Sequence, residues 1–424
     1  ADAAELIEQL LRPHCIISHM SILTCRTAGE SHGPALTAFM DGLPAGLPLD
    51  FVFIKEELHR RQGGYGRGAR QRIEHDVAYF MSGVRNGETT GGPVVIQIMN
   101  RDSRLDDPVK TPPVHRPRPG HADFAGAMKW LTTDCRNTLE RASARETAAR
   151  SAIGAVSWHL LRGFGIRGFG FVRSVLDAVT DVEPEEKNLE ALLTTRNESE
   201  VYCPDALVTE SMIANIRKAK QDKDTLGGII EVHVFGCPPG LGSCGQWDSK
   251  LDGRLAGAVM SIQAMKSVEI GLGHQVAKFS GSQVHDPIQY DASQVDRPNL
   301  GFVRPSNNAG GIEGGMSNGN PIVIRAAMKP IATLLQGMPS VDLRTKQSEH
   351  SAYERSDVCA IAAASVVMEH VVGYEIARAF LGKFGGDTME EVRAGYESYL
   401  ELARSLSSEV ASETAEAVED DTET

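Results

Sequence analysis

Apolar positions along this chain change period at short intervals, and each change marks an element. Ala35–Met40 is a short apolar run that predicts a strand, and Gly-Leu-Pro-Ala-Gly-Leu at 42–47 predicts the turn that ends it. Asp50 is placed to cap a helix running to about Arg61, with Ile54 and Leu58 four apart on one face. Gly-Gly-Pro-Val-Val-Ile-Gln-Ile at 91–98 predicts a buried strand. A Pro-rich loop covers about 108–120. A helix rich in Ala, Ser and Gly then starts near Ser143 and stops at Gly163.

The second half repeats this grammar. Ile229–Phe235 is a β-rich run ending in Gly-Cys-Pro-Pro-Gly-Leu at 236–241, which echoes 42–47. The pattern predicts a helix from about Asp252 to Glu269, stopping at Gly271. Gly-Asn-Pro-Ile-Val-Ile-Arg at 319–325 then echoes 91–97. A diverged internal duplication follows, with halves at about 20–163 and 226–373 and a pseudo-two-fold core; chance recurrence of Gly and Pro turns is the competing explanation. The stretch 165–225 reads as a peripheral insertion, Val358–Val372 as an apolar helix, and 376–406 as a helical C-terminal element. Residues 407–424 hold seven acidic residues and no Lys or Arg, more than half of the net charge of -13, and read as a disordered tail. Met20 directly precedes a strand-like segment and is the expected natural start, with 1–19 an upstream extension.

Composition adds constraints. The chain has 424 residues, 41% of them hydrophobic, enough for a large core. No apolar run approaches the roughly 18 residues that cross a bilayer. Seven Cys without a Cys-x-x-Cys pair argue against a disulfide framework or zinc site, and favour buried thiols, Cys237 and Cys244 included, in a reducing cytoplasm.

Candidate chemistry gathers in Gly-rich loops. Residues 60–72 place Arg60, Arg61, Arg67, Arg70 and Arg72 among glycines in an acidic protein. Gly lets backbone wrap closely on a ligand, and Arg presents a planar fork to phosphate or carboxylate, so this loop reads as a polyanion grip; the bland alternative is a solvated basic loop. Gly-Glu-Ser-His-Gly at 29–33 fixes His32 beside Ser31 at a loop tip, suited to acid–base work; the spacing is wrong for a serine-hydrolase elbow. Arg-Pro-Gly-His-Ala-Asp at 118–123 fixes His121 in a rigid turn, with Asp123 as a helix cap. Arg-Ala-Ser-Ala-Arg-Glu-Thr at 141–147 puts Ser143 at a helix start, where free amides favour an anion, and Glu146 in capping-box position; capping leaves Arg141 and Arg145 unexplained. The Gly/Asn-rich loop 307–320 suits close approach of a flat cofactor, Met-Lys-Pro-Ile-Ala-Thr at 328–333 offers a cation, and Arg-Ser-Asp at 355–357 opens a helix. No Walker loop, Rossmann fingerprint or metal-ligand spacing is present.

These motifs, in this order, resemble the chorismate synthase family from Met20 to about residue 375. The resemblance implies an α+β fold, a β-α-β sandwich core with helices surrounding antiparallel sheets, in a single catalytic unit over 20–375. It implies a lyase of aromatic amino-acid biosynthesis, a homotetramer in the cytoplasm, working on a small molecule without nucleic acid or membrane. The reaction implied is 1,4-anti elimination of phosphate from 5-enolpyruvylshikimate-3-phosphate to give chorismate, with reduced FMN donating electron density transiently and its N5 accepting the hydrogen. NADPH reduces the flavin in some members. By the same resemblance His32 is the acid for the leaving phosphate with Ser31 beside it, His121 serves the flavin near N1, and Asp357 lies near N5. Arg61, Arg67, Arg70 and Arg145 hold the substrate's anionic groups. Arg141, Ala142, Ser143, Gln263, Ala264, Gly314, Lys329, Pro330, Ile331, Ala332, Thr333 and Arg355 contact the flavin, and Gln263 stands where many relatives have Asn. Two other functions remain in view: a flavin-dependent phosphate-ester lyase of different specificity, and an RNA binder using 60–72, which the acidic balance and sparse aromatics oppose.

Overall fold

The computed structural model describes residues 23–68, 73–351 and 356–406; Met20, the first nineteen residues, Arg70, Arg72, Arg355 and the acidic tail lie outside the described residues. The first half runs β1 (Thr24–Ala28), β2 (Ala35–Asp41), α1 (Phe51–Gln62), β3 (Tyr79–Ser82), β4 (Val94–Met99), α2 (Asp123–Lys129), α3 (Arg136–Arg141) and α4 (Thr147–Arg162). The second runs β5 (Arg167–Val175), β6 (Ala178–Val179), α5 (Leu189–Glu198), α6 (Ala206–Gln221), β7 (Gly228–Phe235), α7 (Leu251–Met260), β8 (Met265–Ile270), β9 (Ile322–Met328), α8 (Ile361–Phe384) and α9 (Met389–Ser405), with short ribbons, 3-10 segments and one four-residue helical turn at Gly281–Val284 between.

Two antiparallel sheets face one another. One has the order β1-β2-β4-β3, the other β8-β9-β7-β5-β6. Taken in chain order, each sheet sets its first strand beside its second, the second beside the fourth, and the fourth beside the third; β6 is an added edge. One helix follows the second strand (α1, α7) and a long one follows the fourth (α4, α8), so the two halves share both strand order and helix placement. The second half differs from the expected boundary: β5, within the stretch read as a peripheral insertion, is a buried strand of the second sheet.

The periodicities explain the layers. On β2 and β4 the buried positions alternate, Leu36, Ala38 and Met40 against Val94, Ile96 and Ile98, so one face of the first sheet meets the core. On β5 and β7 both faces are buried, because Leu189 of α5 packs with Phe169, Phe171 and Phe235 outside the sheet. Helices α1, α4, α7 and α8 share one apolar cluster with the inner faces of both sheets. α8 is apolar almost all round, as a helix buried on every side must be; it runs past Val372 to Phe384 and α9 follows it.

α4 and α8 approach so closely that side chains are excluded. A Cβ on Gly154 would overlap the Cβ and carbonyl of His370, and the Trp158 indole covers Gly373 while donating to the Glu369 carbonyl at 3.0 Å. Asp50 caps α1 as expected, accepting from Val52 and Phe53. The helix expected over 252–269 ends at Met260. Ala264 takes a left-handed φ of 70°, and Met265–Ile270 then pairs with β9 as a strand. Of the two cysteines flanking the second Pro-Gly turn, Cys237 is buried but Cys244 is exposed.

Gly154→Ala will therefore destabilise the fold by about 1–3 kcal/mol through overpacking. Urea unfolding measures this; an unchanged midpoint would show that the α4–α8 crossing can relax.

Candidate active site

The turn between β1 and β2 carries His32. Gly29 opens it at φ 107°, where a Cβ would overlap the Ala35 carbonyl, so the turn requires glycine. Glu140 of α3 grips the histidine twice: its carboxylate accepts from the His32 amide at 2.9 Å and lies 2.9 and 3.0 Å from Nδ1. The neighbouring Ser31 is buried, and its amide donates to the Glu140 carbonyl. Burial alone would raise the Glu140 carboxyl, but the hydrogen bonds from His32 and the charge of Arg136 hold it below its ordinary value. Across the ring, Nε2 lies 3.2 Å from an Arg104 Nη and 3.7 Å from Asp102.

Next to this turn two buried guanidiniums share one carboxylate. Asp76 accepts from Arg61 at 3.3 Å and from Arg145 at 2.6 Å. Arg61, in the last turn of α1, also donates to Thr147 Oγ1 and to the Ala144 carbonyl, both at 3.0 Å. Burial draws the Arg61 guanidinium down to about 10; Asp76 opposes this, and nearby Arg145 and Arg67 add to it. Arg61 keeps its charge at neutral pH, and an incoming anion relieves the penalty. Asn100 links the arginines to the histidine turn: its Oδ1 accepts from Arg145 Nε at 2.9 Å, and its amide donates to the carbonyls of Glu30 and Gly33. One Arg145 Nη is buried without a hydrogen-bond partner among the described residues, with Glu74 3.7 Å away. Arg60 faces away, into a core network with Glu57 and Glu369.

Arg67 pairs with Asp357 at 2.9 Å, and the Gly68 amide donates to the same carboxylate at 2.6 Å. In the structure two of the loop's glycines are set by packing. A Cβ on Gly64 would lie 2.6 Å from Ala362, and one on Gly66 2.9 Å from Ile216, so these two glycines press the loop onto the protein.

His121 belongs to a third cluster. Its Nδ1 bonds to Asp123 and lies 3.0 Å from an Arg118 Nη, while Arg118 also donates to Asp123 and, at 2.9 Å, to Thr333 Oγ1. Asp123 caps nothing. It is the first residue of α2, its carboxylate fully buried. Burial would raise that carboxyl, but hydrogen bonds from His121 and Arg118 and their charges hold it well below its ordinary value. The turn at Gly120 borders a cavity of about 390 Å³ whose wall includes Lys329, Pro330, Ile331, Ala332, Asp224 and Thr225. Thr225 donates to the Ile331 carbonyl and the next amide to the Val358 carbonyl, which fixes this wall relative to Asp357.

Glu146 does not close a capping box. Ser143 accepts from the Arg145 amide, whereas Glu146 turns to Thr27, Arg150 and, at 3.2 Å, Gln263. Through Thr27, which also receives Arg141, it joins 141–143 to Gln263 and Ala264; the Ala264 carbonyl then accepts from the Lys329 amide at 2.9 Å. Gly314 is not brought to this group. It lies in a turn whose next residue, Gly315, accepts from the Leu251 amide at the start of α7, the opposite end of that helix from Gln263. The sequence reading missed Glu74, Asp76, Asn100, Arg104 and Glu140; only Glu140 carried a signal, sitting directly before Arg141.

Among the described residues no group of three His, Cys, Asp or Glu is arranged to hold a metal ion, and no helix is long and apolar enough to cross a membrane. The chorismate synthase family model matches residues 23–381. The chain is 50% identical over 393 residues to a chorismate synthase of Desulforamulus reducens, covering 90% of this chain and 99% of that one. It is 53% identical over 393 residues to that of Geobacter sulfurreducens, with the same coverage. A solved crystal structure of a chorismate synthase superposes with a TM-score of 0.72 at 41% identity, covering 90% of this chain and 98% of the other.

The depressed Asp123 carboxyl sets a pH dependence. Its folded pKa lies below the unfolded value near 4, so its stabilisation is complete above about pH 5 and is lost as pH falls through the folded value. Asp123→Asn will lose on the order of 3 kcal/mol at neutral pH, as a broken buried pair does, and the deficit will shrink in acid. Urea unfolding at neutral pH and at about pH 3 checks this; a constant deficit contradicts it.

Proposed function

The chain belongs to the chorismate synthase family, and from that premise we propose how its own residues divide the labour. The family's reaction is elimination of phosphate from 5-enolpyruvylshikimate-3-phosphate to give chorismate, dependent on reduced FMN, in aromatic amino-acid biosynthesis. The enzyme is a carbon–oxygen lyase acting on a small molecule.

Arg61, Arg145 and Arg67 grip the phosphate and carboxylates of the substrate, joined by Arg70, and His32 delivers a proton to the departing phosphate with Ser31 at its side. The observation that carries this reading is Asp76: one buried carboxylate sets Arg61 and Arg145 side by side, and Asn100 ties Arg145 to the turn that holds His32. Cations fixed before the ligand arrives cost no reorganisation when charge shifts onto the leaving group.

The residues expected around FMN suit a phosphorylated, flat, polar ligand. Arg141 and Lys329 have no carboxylate partner among the described residues, the Gln263 carbonyl oxygen is buried without a hydrogen-bond partner, and Lys329 is held below its ordinary value by burial and by Lys266. Arg141, Ala142, Ser143, Gln263, Ala264, Lys329–Thr333 and Arg355 would hold the cofactor, which when bound supplies the electron-rich surface that the elimination needs. Gly314, at the far end of α7, serves this site from another subunit of the expected homotetramer. His121, held by Asp123 and Arg118, would polarise the bound cofactor, and Asp357, held by Arg67 and the Gly68 amide, would serve it as a fixed acceptor. A cytoplasmic location fits the six described free cysteines.

An anaerobic assay with the enolpyruvyl substrate and dithionite-reduced FMN, following chorismate absorbance, tests the reading; parallel runs with NADPH and oxidised flavin test self-reduction. His32→Ala will lower turnover about 10²–10⁴-fold, the usual cost of a lost general acid, with FMN affinity nearly unchanged. Arg61→Ala will raise KM with a salt-sensitive component. Near-normal turnover in His32→Ala removes that residue from the chemistry.

A further inference from the structure

The far side of His32 holds a residue that no motif singled out. Arg104 follows β4, and its backbone is pinned to the histidine turn: the amides of Arg104 and Leu105 donate to the His32 carbonyl at 2.9 and 3.0 Å, and Thr111 Oγ1 donates to the Arg104 carbonyl at 2.8 Å. Its side chain is freer, 29% exposed against 11% for His32 and 0% for Glu140. One Nη reaches His32 Nε2 at 3.2 Å, and Nε lies 3.2 Å from Asp102.

A guanidinium has only donors, so where it meets Nε2 the ring nitrogen must accept. Nδ1 then carries the hydrogen, directed at Glu140. This tautomer follows from the partners on each side. In this arrangement His32 is neutral and has no proton to give at Nε2. A proton there would set N–H against N–H beside a fixed positive charge.

We propose that Arg104 is a phosphate-binding residue that gates the protonation of His32, a proposal that rests on the acid role given to His32 above. The substrate's phosphate carries close to two negative charges and is a stronger partner for a guanidinium than a neutral imidazole. As the phosphate enters, Arg104 transfers its Nη donors from Nε2 to phosphate oxygen. Nε2 takes one proton from solvent. The imidazolium formed lies between two carboxylates, Glu140 on Nδ1 and Asp102, 3.7 Å from Nε2. The charged groups facing the ring are those two, Arg104 itself, and Arg136 behind Glu140 at 3.4 Å. When the carbon–oxygen bond breaks, its electrons leave with phosphate, Nε2 gives its proton to a phosphate oxygen, and His32 returns to the neutral form that Arg104 covers. The acid is thus armed only when a phosphate is present to receive its proton.

The test uses the full-length enzyme with oxidised FMN, so that the substrate binds without turning over. Calorimetry in buffers of different ionisation enthalpy counts protons taken up, and nitrogen NMR of labelled histidine reads Nε2. The wild type at neutral pH will take up about one proton per site on binding 5-enolpyruvylshikimate-3-phosphate, with His32 Nε2 passing from unprotonated to protonated. In Arg104→Ala the free enzyme will already show a protonated Nε2, uptake will fall to near zero, and the substrate Kd will rise at least tenfold with FMN affinity unchanged. Arg104→Lys, which keeps the charge, will restore part of the uptake. Unaltered uptake and Kd in Arg104→Ala overturn the proposal, as does a protonated Nε2 in the free wild type. Should His32→Ala keep full turnover while Arg104→Ala still abolishes uptake, the gating stands and only the acid role falls.

Discussion

Two guanidiniums buried side by side repel one another, and the site depends on the carboxylate they share. Asp76 is fully buried and bridges Arg61 at the end of α1 to Arg145 at the entry to α4. Its charge offsets part, not all, of what surrounds it, and Arg61 remains depressed by burial and by its cationic neighbours. That shortfall is useful. A buried cation short of counter-charge costs stability in the free protein, and an anionic ligand recovers the cost on binding. Glu140 plays the matching part for His32, so in the proposed reading both the grip and the acid are positioned by carboxylates.

The strand order shared by the two halves places these groups. Each half supplies a four-strand pattern, one helix after its second strand and one after its fourth, and the two long helices cross where Gly154 and Gly373 exclude side chains. The halves have diverged in use. The first-to-second strand connection is a tight turn in the first half and delivers His32. In the second half the same connection holds α5 and α6 and returns through Thr225, which bonds to Ile331 in the Lys329–Thr333 wall. In the proposed reading the anion grip is thus mostly first-half chemistry and the cofactor wall mostly second-half.

Much of this was legible in the sequence, for physical reasons that can be named. Strands β2, β4, β7 and β9 lie between Gly and Pro punctuation, and the Asp50 cap and the motif histidines and arginines are residue types whose chemistry is visible one at a time. The carboxylates were not legible. Asp76 and Glu74 sit in ordinary surroundings, Glu140 offered only its place directly before Arg141, and all three matter through partners distant in the chain. Strand β5 was hidden because burial on both faces erases alternation, and β8 because Ala264, a residue with no turn signature, breaks the helical run. The glycines of the arginine loop were recognised as necessary, but the surface they press against, Ala362 and Ile216, is set by packing that no local pattern records.

The most direct measurement is substrate affinity in Asp76→Asn, which keeps the shape and removes the charge, titrated calorimetrically into the enzyme loaded with oxidised FMN. Without the shared carboxylate Arg61 and Arg145 separate, and the account predicts a loss of at least tenfold in affinity for 5-enolpyruvylshikimate-3-phosphate with FMN affinity unchanged. Equal or tighter substrate binding in the variant would contradict it, since the two guanidiniums would then be held in register by something other than Asp76.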